Sequence, residues 1–235
     1  MPRGVRITLR HYYDFGPDRE VVGDDLVRPD AWDALRTQTS GVFSIPETRA
    51  EFVRVAEEHE EIAGRARAID EWLLARGVET VASYGVGGAS LEWWLHRLRP
   101  VLRIAVTDYG EATVERLKRL FPEAEAHRHD LLHDLPLRAD LHLFHRIDTE
   151  FTNREWREVL ARFASVPVLV VAADVVPLRR VPRELLNGLT LRRRAASRAG
   201  FIRTRAALEA LWRPTHDARR LRMHDLDAWA LEPRL

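Results

Sequence analysis

The chain has 235 residues, 46% hydrophobic and 31% charged, and its 12 Gly and 12 Pro are too few for collagen or a disordered linker, so the composition predicts one folded core of ordinary size. A net charge of +1, from 37 Lys plus Arg against 36 Asp plus Glu, leaves no global field to recruit nucleic acid or an anionic membrane. The absence of Cys excludes a disulfide framework, Cys-type zinc sites and a thiol nucleophile, and Lys118, the single lysine, disfavours Schiff-base chemistry.

In chain order, the opening MPRGVRITLRHYYDFG has scattered charges and no apolar h-region, and no later stretch approaches the ~18 uncharged apolar residues of a membrane span. A cytoplasmic protein is expected. Residues 1–45 lack sustained periodicity and carry turn chemistry at Phe15-Gly16-Pro17, Gly23-Asp24-Asp25 and Arg28-Pro29-Asp30, which predicts a loop-rich lid with short helices. Residues 46–235 form the main domain. Phe52, Val55, His59, Ile62, Ala66, Ile69 and Leu73 recur at three- and four-residue steps, predicting one long amphipathic helix with a start signal at Ser44 and a stop at Gly77.

After Gly77, short apolar runs alternate with helical patterns, the signature of βαβ units on a mostly parallel sheet. Strands are predicted at Thr80–Tyr84, Arg103–Thr107, Ala124–His129, Leu141–His145 and Val168–Ala173. Helices are predicted at Ser90–Leu98, Glu111–Leu120 and Asn153–Phe163. An Arg-rich helical insertion follows over about 178–204, then a helix at Arg205–Trp212 and an antiparallel hairpin of Ala218–Met223 and Ala228–Glu232.

The run Val81-Ala82-Ser83-Tyr84-Gly85-Val86-Gly87-Gly88-Ala89-Ser90 ends a strand, turns on glycines and opens a helix, so backbone N–H groups and a helix N-terminus can approach an anionic or polar ligand. Asp108 ends the next strand, where a carboxylate can accept both ribose hydroxyls of a nucleoside or simply cap the following helix. Asp130, after the third strand, could accept from an adenine amino group or belong to a turn. A nicotinamide-binding unit is the weaker match, because Ser90 stands where the third glycine of G-x-G-x-x-G would be.

Together, Tyr84-Gly85-Val86-Gly87-Gly88-Ala89, Val106-Thr107-Asp108-Tyr109, Asp130-Leu131 with Ala139-Asp140-Leu141, and Ala228-Trp229-Ala230-Leu231 resemble the class I S-adenosylmethionine-dependent methyltransferase family over about residues 47–235. The resemblance implies a Rossmann-like α/β sandwich, with a seven-stranded sheet of six parallel strands and one antiparallel insertion. It implies S-adenosylmethionine as cofactor, with Gly85 and Gly87 under the methionine part, Asp108 on ribose, and Asp130 with Leu131 around adenine. Tyr84 and Tyr109 flank these positions. Where the family usually carries an acid two residues before the first glycine, this chain has Ser83, so the cofactor's amino group would be held through Ser83 and water, by another acid, or weakly.

Methyl transfer from a sulfonium needs alignment and exclusion of water more than a dedicated acid. His145 is the candidate base for an oxygen acceptor, with Asp148 beside it, and Tyr12 and Tyr13 in the lid could cover a small-molecule substrate. The stretch lacks the Asn/Asp-Pro-Pro-aromatic motif of amino-methylating enzymes. His127, His129 and His133 lack the spacing and fourth ligand of a metal site, so no metal is expected. The Arg-rich run would suit an anionic acceptor or be a solvated helix face. A degenerate, non-catalytic cofactor-binding or scaffold protein is the alternative, and a nicotinamide oxidoreductase a further one.

Overall fold

A computed structural model describes residues 4–22, 29–38, 41, 43–193 and 197–234. The turn residues Gly23, Asp24, Asp25 and Arg28 lie outside the described residues, as do Arg194 and the side chains of Arg192, Arg193 and Arg198. The N-terminal segment contains β1 (Thr8–Tyr13), α1 (Arg19–Val22) and α2 (Pro29–Thr37). Then come α3 (Arg49–Glu57), α4 (Glu60–Leu74), β2 (Thr80–Tyr84), α5 (Ser90–Leu98), β3 (Arg103–Asp108), α6 (Glu111–Leu120) and β4 (Glu125–Arg128). The rest is β5 (Leu141–His145), α7 (Asn153–Arg162), β6 (Val168–Val171), α8 (Val181–Arg193), β7 (Ser197–Arg203), α9 (Arg205–Trp212), β8 (His216–Met223) and β9 (Leu226–Pro233).

The main sheet runs β4-β3-β2-β5-β6-β9-β8. Strands β2 to β6 pair in parallel, β9 enters antiparallel beside β6, and β8 closes the edge antiparallel to β9, so six strands share one direction. Its central strands are buried on both faces, which is why they read as nearly continuous apolar runs. Val81, Val106, Leu143 and Val171 face the layer of α4, α5 and α6 through Ile69, Leu73, Leu95 and Leu117. Alternate residues of the same strands, Ala82, Tyr84, Phe144 and Val170, together with Trp229 of β9, face Trp156, Val159, Phe163 and Leu211 on the other side.

Three expectations are corrected. The stripe from Phe52 to Leu73 is two helices, broken at Glu58 and His59. The last-turn carbonyl of Ala56 accepts the Trp94 indole N–H at 2.8 Å, and His59 restarts the chain in an extended conformation, which lets α3 pack on α5 and α6 while α4 packs on α5 and β8. The start signal is Thr48, whose hydroxyl accepts from the Glu51 N–H, and not Ser44. The Arg-rich stretch is helical only to Arg193: Ser197–Arg203 is a strand, paired antiparallel with β1 in a separate two-stranded sheet. Gly200 shows why that strand forms there. Its φ is +139, and a Cβ on it would lie 2.3 Å from the Thr149 carbonyl oxygen, so only glycine lets β7 cross the loop after β5.

Candidate cofactor and active site

The loop between β2 and α5 lies at the carboxyl edge of the sheet, where open parallel sheets hold their ligands. Gly85 has φ +65, and a Cβ there would meet the Ile147 methyl at 2.7 Å, so the loop passes close to the end of β5 only because no side chain is present. Val86 N–H bonds the Thr107 carbonyl and Ala89 N–H bonds that of Val86, fixing the turn that opens α5.

Asp108, 2% exposed, is held at the end of β3. Its Oδ2 accepts from the Gly87 N–H at 3.1 Å and its Oδ1 from the Gly110 N–H at 3.0 Å. The N-terminal segment supplies its other partner, which the sequence did not reveal. Arg36 of α2 places Nη1 2.6 Å from Oδ1 and 2.7 Å from Oδ2. Helix α2 is anchored there twice over. Asp33 accepts from the Thr113 N–H at 2.9 Å and the Thr113 hydroxyl at 2.6 Å, occupying the N-terminus of α6, while Arg116 of α6 donates to the carbonyls of Ile45 and Thr37.

Ser83 lies at the same edge with a carboxylate against it. Its hydroxyl donates to Glu92 Oε1 at 2.6 Å, and the two side chains are buried. Burial pushes Glu92 up to about 7, against the lowering effect of the Ser83 hydrogen bond. An acid therefore does stand near the expected position, but it comes from the first turn of α5. Nothing nearby in sequence marks it, since a Glu in a first helical turn ordinarily reads as a cap.

Tyr84 points away from this edge. Its hydroxyl accepts from the Leu137 N–H and lies 3.1 Å from His142 Nδ1, within the core, and burial pushes it up to about 12. Tyr109 is exposed at the edge, with the Arg128 guanidinium 5.7 Å from its ring centroid. Asp130 is engaged in its own turn, accepting from the Leu132 N–H at 2.8 Å and pairing with His133 Nδ1 at 2.7 Å, and Leu131 is buried. His127 and His129 meet Glu125 and the Leu135 carbonyl instead of one another. Among the described residues no group of three or more His, Asp or Glu could hold a metal ion.

The end of β5 gathers the remaining candidates. His145 Nε2 is buried without a hydrogen-bond partner, and burial with Arg146 and Arg65 nearby pulls the imidazole down to about 3, so it is neutral. Asp148 Oδ1 accepts from the Ala173 N–H at 2.6 Å, its Oδ2 has no partner, and burial pushes it up to about 6. Glu150, which sequence reasoning did not single out as a site residue, accepts from the Trp32 indole N–H at 3.2 Å and is pushed up to about 7 by burial, partly offset by Arg36. Tyr13 joins Phe15 and Phe43, and Phe43 packs on Trp32, so this tyrosine belongs to the aromatic cluster over Glu150. Tyr12 lies instead toward α8, against Gly188.

The sheet order, the inserted antiparallel strand and the glycine turn define the class I methyltransferase fold. No family model and no curated protein matches the chain. Solved structures do. The chain is similar to human N-acetylserotonin methyltransferase in complex with SAM (18% identity, TM-score 0.59, covering 80% of this chain and 57% of that one). It is also similar to the mitomycin 7-O-methyltransferase MmcR (19%, 0.60, 74% and 53%) and to PigF with SAH (13%, 0.56, 67% and 51%). At these identities the likeness is one of fold, and the chain spans little more than half the length of these structures.

Proposed function

We propose that the chain binds S-adenosylmethionine and transfers its methyl group to a small-molecule acceptor. The observation that carries this is Asp108: a buried carboxylate at the end of the second parallel strand, held by the N–H groups of the glycine loop and of the α6 entry, with both oxygens turned to a further donor. Relatives of fold solved with SAM and SAH support the choice of cofactor. The residues present fit that molecule. Asp108 can accept from a vicinal diol, the Gly85 turn leaves room where a side chain would fill it, and the buried Glu92 offers negative charge to an ammonium group.

When bound, the cofactor supplies a methyl group on a sulfonium for in-line displacement. The chain orients and shields. Tyr109 borders the nucleoside end, and Asp130 with Leu131 contributes mainly backbone there. At the acceptor end, Glu150 is the group whose proton affinity suits general-base work near neutrality, while His145 stays neutral beside Asp148. Residues 1–45 act as a lid, with Tyr13 and Trp32 over the acceptor. The cytoplasmic location expected from the sequence, and a partner that is neither nucleic acid nor membrane, belong to the same proposal. The second reading, a degenerate scaffold protein that no longer takes the cofactor, is favoured by Arg36 standing on Asp108.

Calorimetric titration with S-adenosylmethionine and S-adenosylhomocysteine tests the proposal. Saturable binding of both, weakened when Asp108 is replaced, is expected; stabilisation by a nicotinamide dinucleotide alone would replace it with the oxidoreductase reading. Methyl transfer in a screen of small hydroxylated acceptors separates enzyme from binding protein.

A further inference from the structure

Arg36 does what a ribose would do. A vicinal diol would donate one hydroxyl to each oxygen of Asp108; Arg36 Nη1 lies within 2.6 and 2.7 Å of both, so neither oxygen is left for a diol while the guanidinium stays. The guanidinium also flanks Gly87, whose Cβ position would be 3.5 Å from Arg36 Nε and Nη2, so it covers the face of the glycine loop that a nucleoside must approach. Its position is not that of a stray surface side chain. Arg36 is 19% exposed, its carbonyl accepts from Arg116, and one helical turn earlier Asp33 holds the N-terminus of α6. The lid is thus latched onto the β3–α6 junction by its own carboxylate while its cation reaches the acid of that same junction.

We propose that α2 is a self-inhibiting plug: Arg36 fills the diol end of the nucleoside site, and the cofactor binds only when Arg36 is withdrawn. The inference rests on the cofactor reading above. It has a thermodynamic consequence, because a ligand that binds only the open state has its apparent affinity reduced by the open fraction. The Arg36–Asp108 pair and the Asp33 latch both hold the closed state, and removing Arg36 leaves Asp108 still held by the Gly87 and Gly110 N–H groups, ready for a diol.

The experiment is calorimetric titration of S-adenosylhomocysteine into the full chain, Arg36→Ala and Asp33→Ala, with hydrogen exchange of residues 29–38 followed in the unaltered chain with and without that ligand. Arg36→Ala is expected to bind at least tenfold more tightly, and Asp33→Ala, which loosens the latch at Gly110 and Thr113 while leaving Asp108 and Arg36 in place, severalfold more tightly. Ligand should speed exchange in α2, the reverse of ordinary protection. Affinity in Arg36→Ala equal to or below that of the unaltered chain overturns the plug, as does α2 becoming more protected on binding, since Arg36 would then be a contact of the closed complex. If Arg36→Ala does not fold, Asp33→Ala and the exchange of the unaltered chain decide. Equal binding by all three proteins removes the plug and leaves the cofactor reading standing; no binding by any of them removes both.

Discussion

At the scale of single residues, Asp108 shows how a proposed site acid is also a structural one. It accepts from two backbone N–H groups and an arginine, so Asp108→Ala would leave the Arg36 charge buried and unpaired as well as deleting the proposed ribose contact. Asp108→Asn is the milder variant: it keeps one acceptor oxygen for the Gly87 or Gly110 N–H, though its amide nitrogen faces the other and Arg36 loses its counter-charge. Hydrogen bonds to a charged group contribute roughly 1.5–3 kcal/mol each, so in an Arg36→Ala background, where no guanidinium competes, S-adenosylhomocysteine affinity should fall about tenfold to several hundredfold on adding Asp108→Asn. Titration of a variant with an unchanged melting profile checks it, and unaltered affinity would remove Asp108 from the site. Glu92 yields a second prediction. If its carboxylate faces the cofactor's ammonium group, Glu92→Gln should weaken S-adenosylhomocysteine about tenfold while leaving 5′-methylthioadenosine, which lacks the amino-acid part, unchanged. The ratio of the two dissociation constants reads this directly. Sequence spacing marked Asp108 because strand-end acids follow the βαβ rhythm. It could not mark Glu92 or Arg36, whose roles arise from side chains that meet only once α5 and α2 are docked.

Among elements, those stabilised by local signals were legible, and those stabilised by distant partners were not. Strands Thr80–Tyr84 and Leu141–His145 and helices Ser90–Leu98, Glu111–Leu120 and Arg205–Trp212 have the bounds that periodicity, caps and prolines predict. The β1–β7 pair joins segments almost 190 residues apart, and its register breaks between His11 and Tyr12, so neither strand shows a clean alternation. Gly200 makes the dependence testable. Replacing it with Ala forces a side chain into an unfavourable φ and onto the Thr149 carbonyl, and should destabilise the protein by more than ~1 kcal/mol, as measured by chemical denaturation. Because Phe201 N–H bonds Thr149 O and Arg203 donates to the carbonyls of Asp148 and Phe151, the same change should loosen the loop that carries Glu150. Small-sheet pairing and the loop after β5 are thus one unit.

The whole molecule carries two opposed sets of buried titratable groups, and together they set its stability against pH. His142, fully buried with Nε2 unpartnered, is pulled by burial from 6.5 to about 4. Between those values the unfolded chain takes a proton that the native one refuses, so stability falls as pH drops from 6.5 toward 4. Glu92 acts in the opposite sense. Its native value of about 7 against an ordinary 4.5 means that the folded state holds a proton the unfolded state has released, so stability falls as pH rises from 4.5 through 7. Asp148 and Glu150 add to the second set. The curve should therefore have a broad maximum on the acid side of neutrality. Two variants separate its limbs: His142→Phe should reduce the decline below pH 6.5, to which His145 also contributes, and Glu92→Gln should reduce the decline above 4.5 and raise stability above pH 8 by on the order of 3 kcal/mol. Denaturation midpoints at half-unit pH steps measure both. A Glu92→Gln protein whose stability above pH 8 matched that of the unaltered chain would mean that the carboxylate is already charged and compensated in the folded state. Negative charge beneath the glycine loop would then have found its counter-ion within the chain, and an ammonium group on the ligand would gain nothing there. Stabilisation by Glu92→Gln combined with weakened S-adenosylhomocysteine is the pattern of a charge kept buried at a cost to the fold because a bound cation uses it.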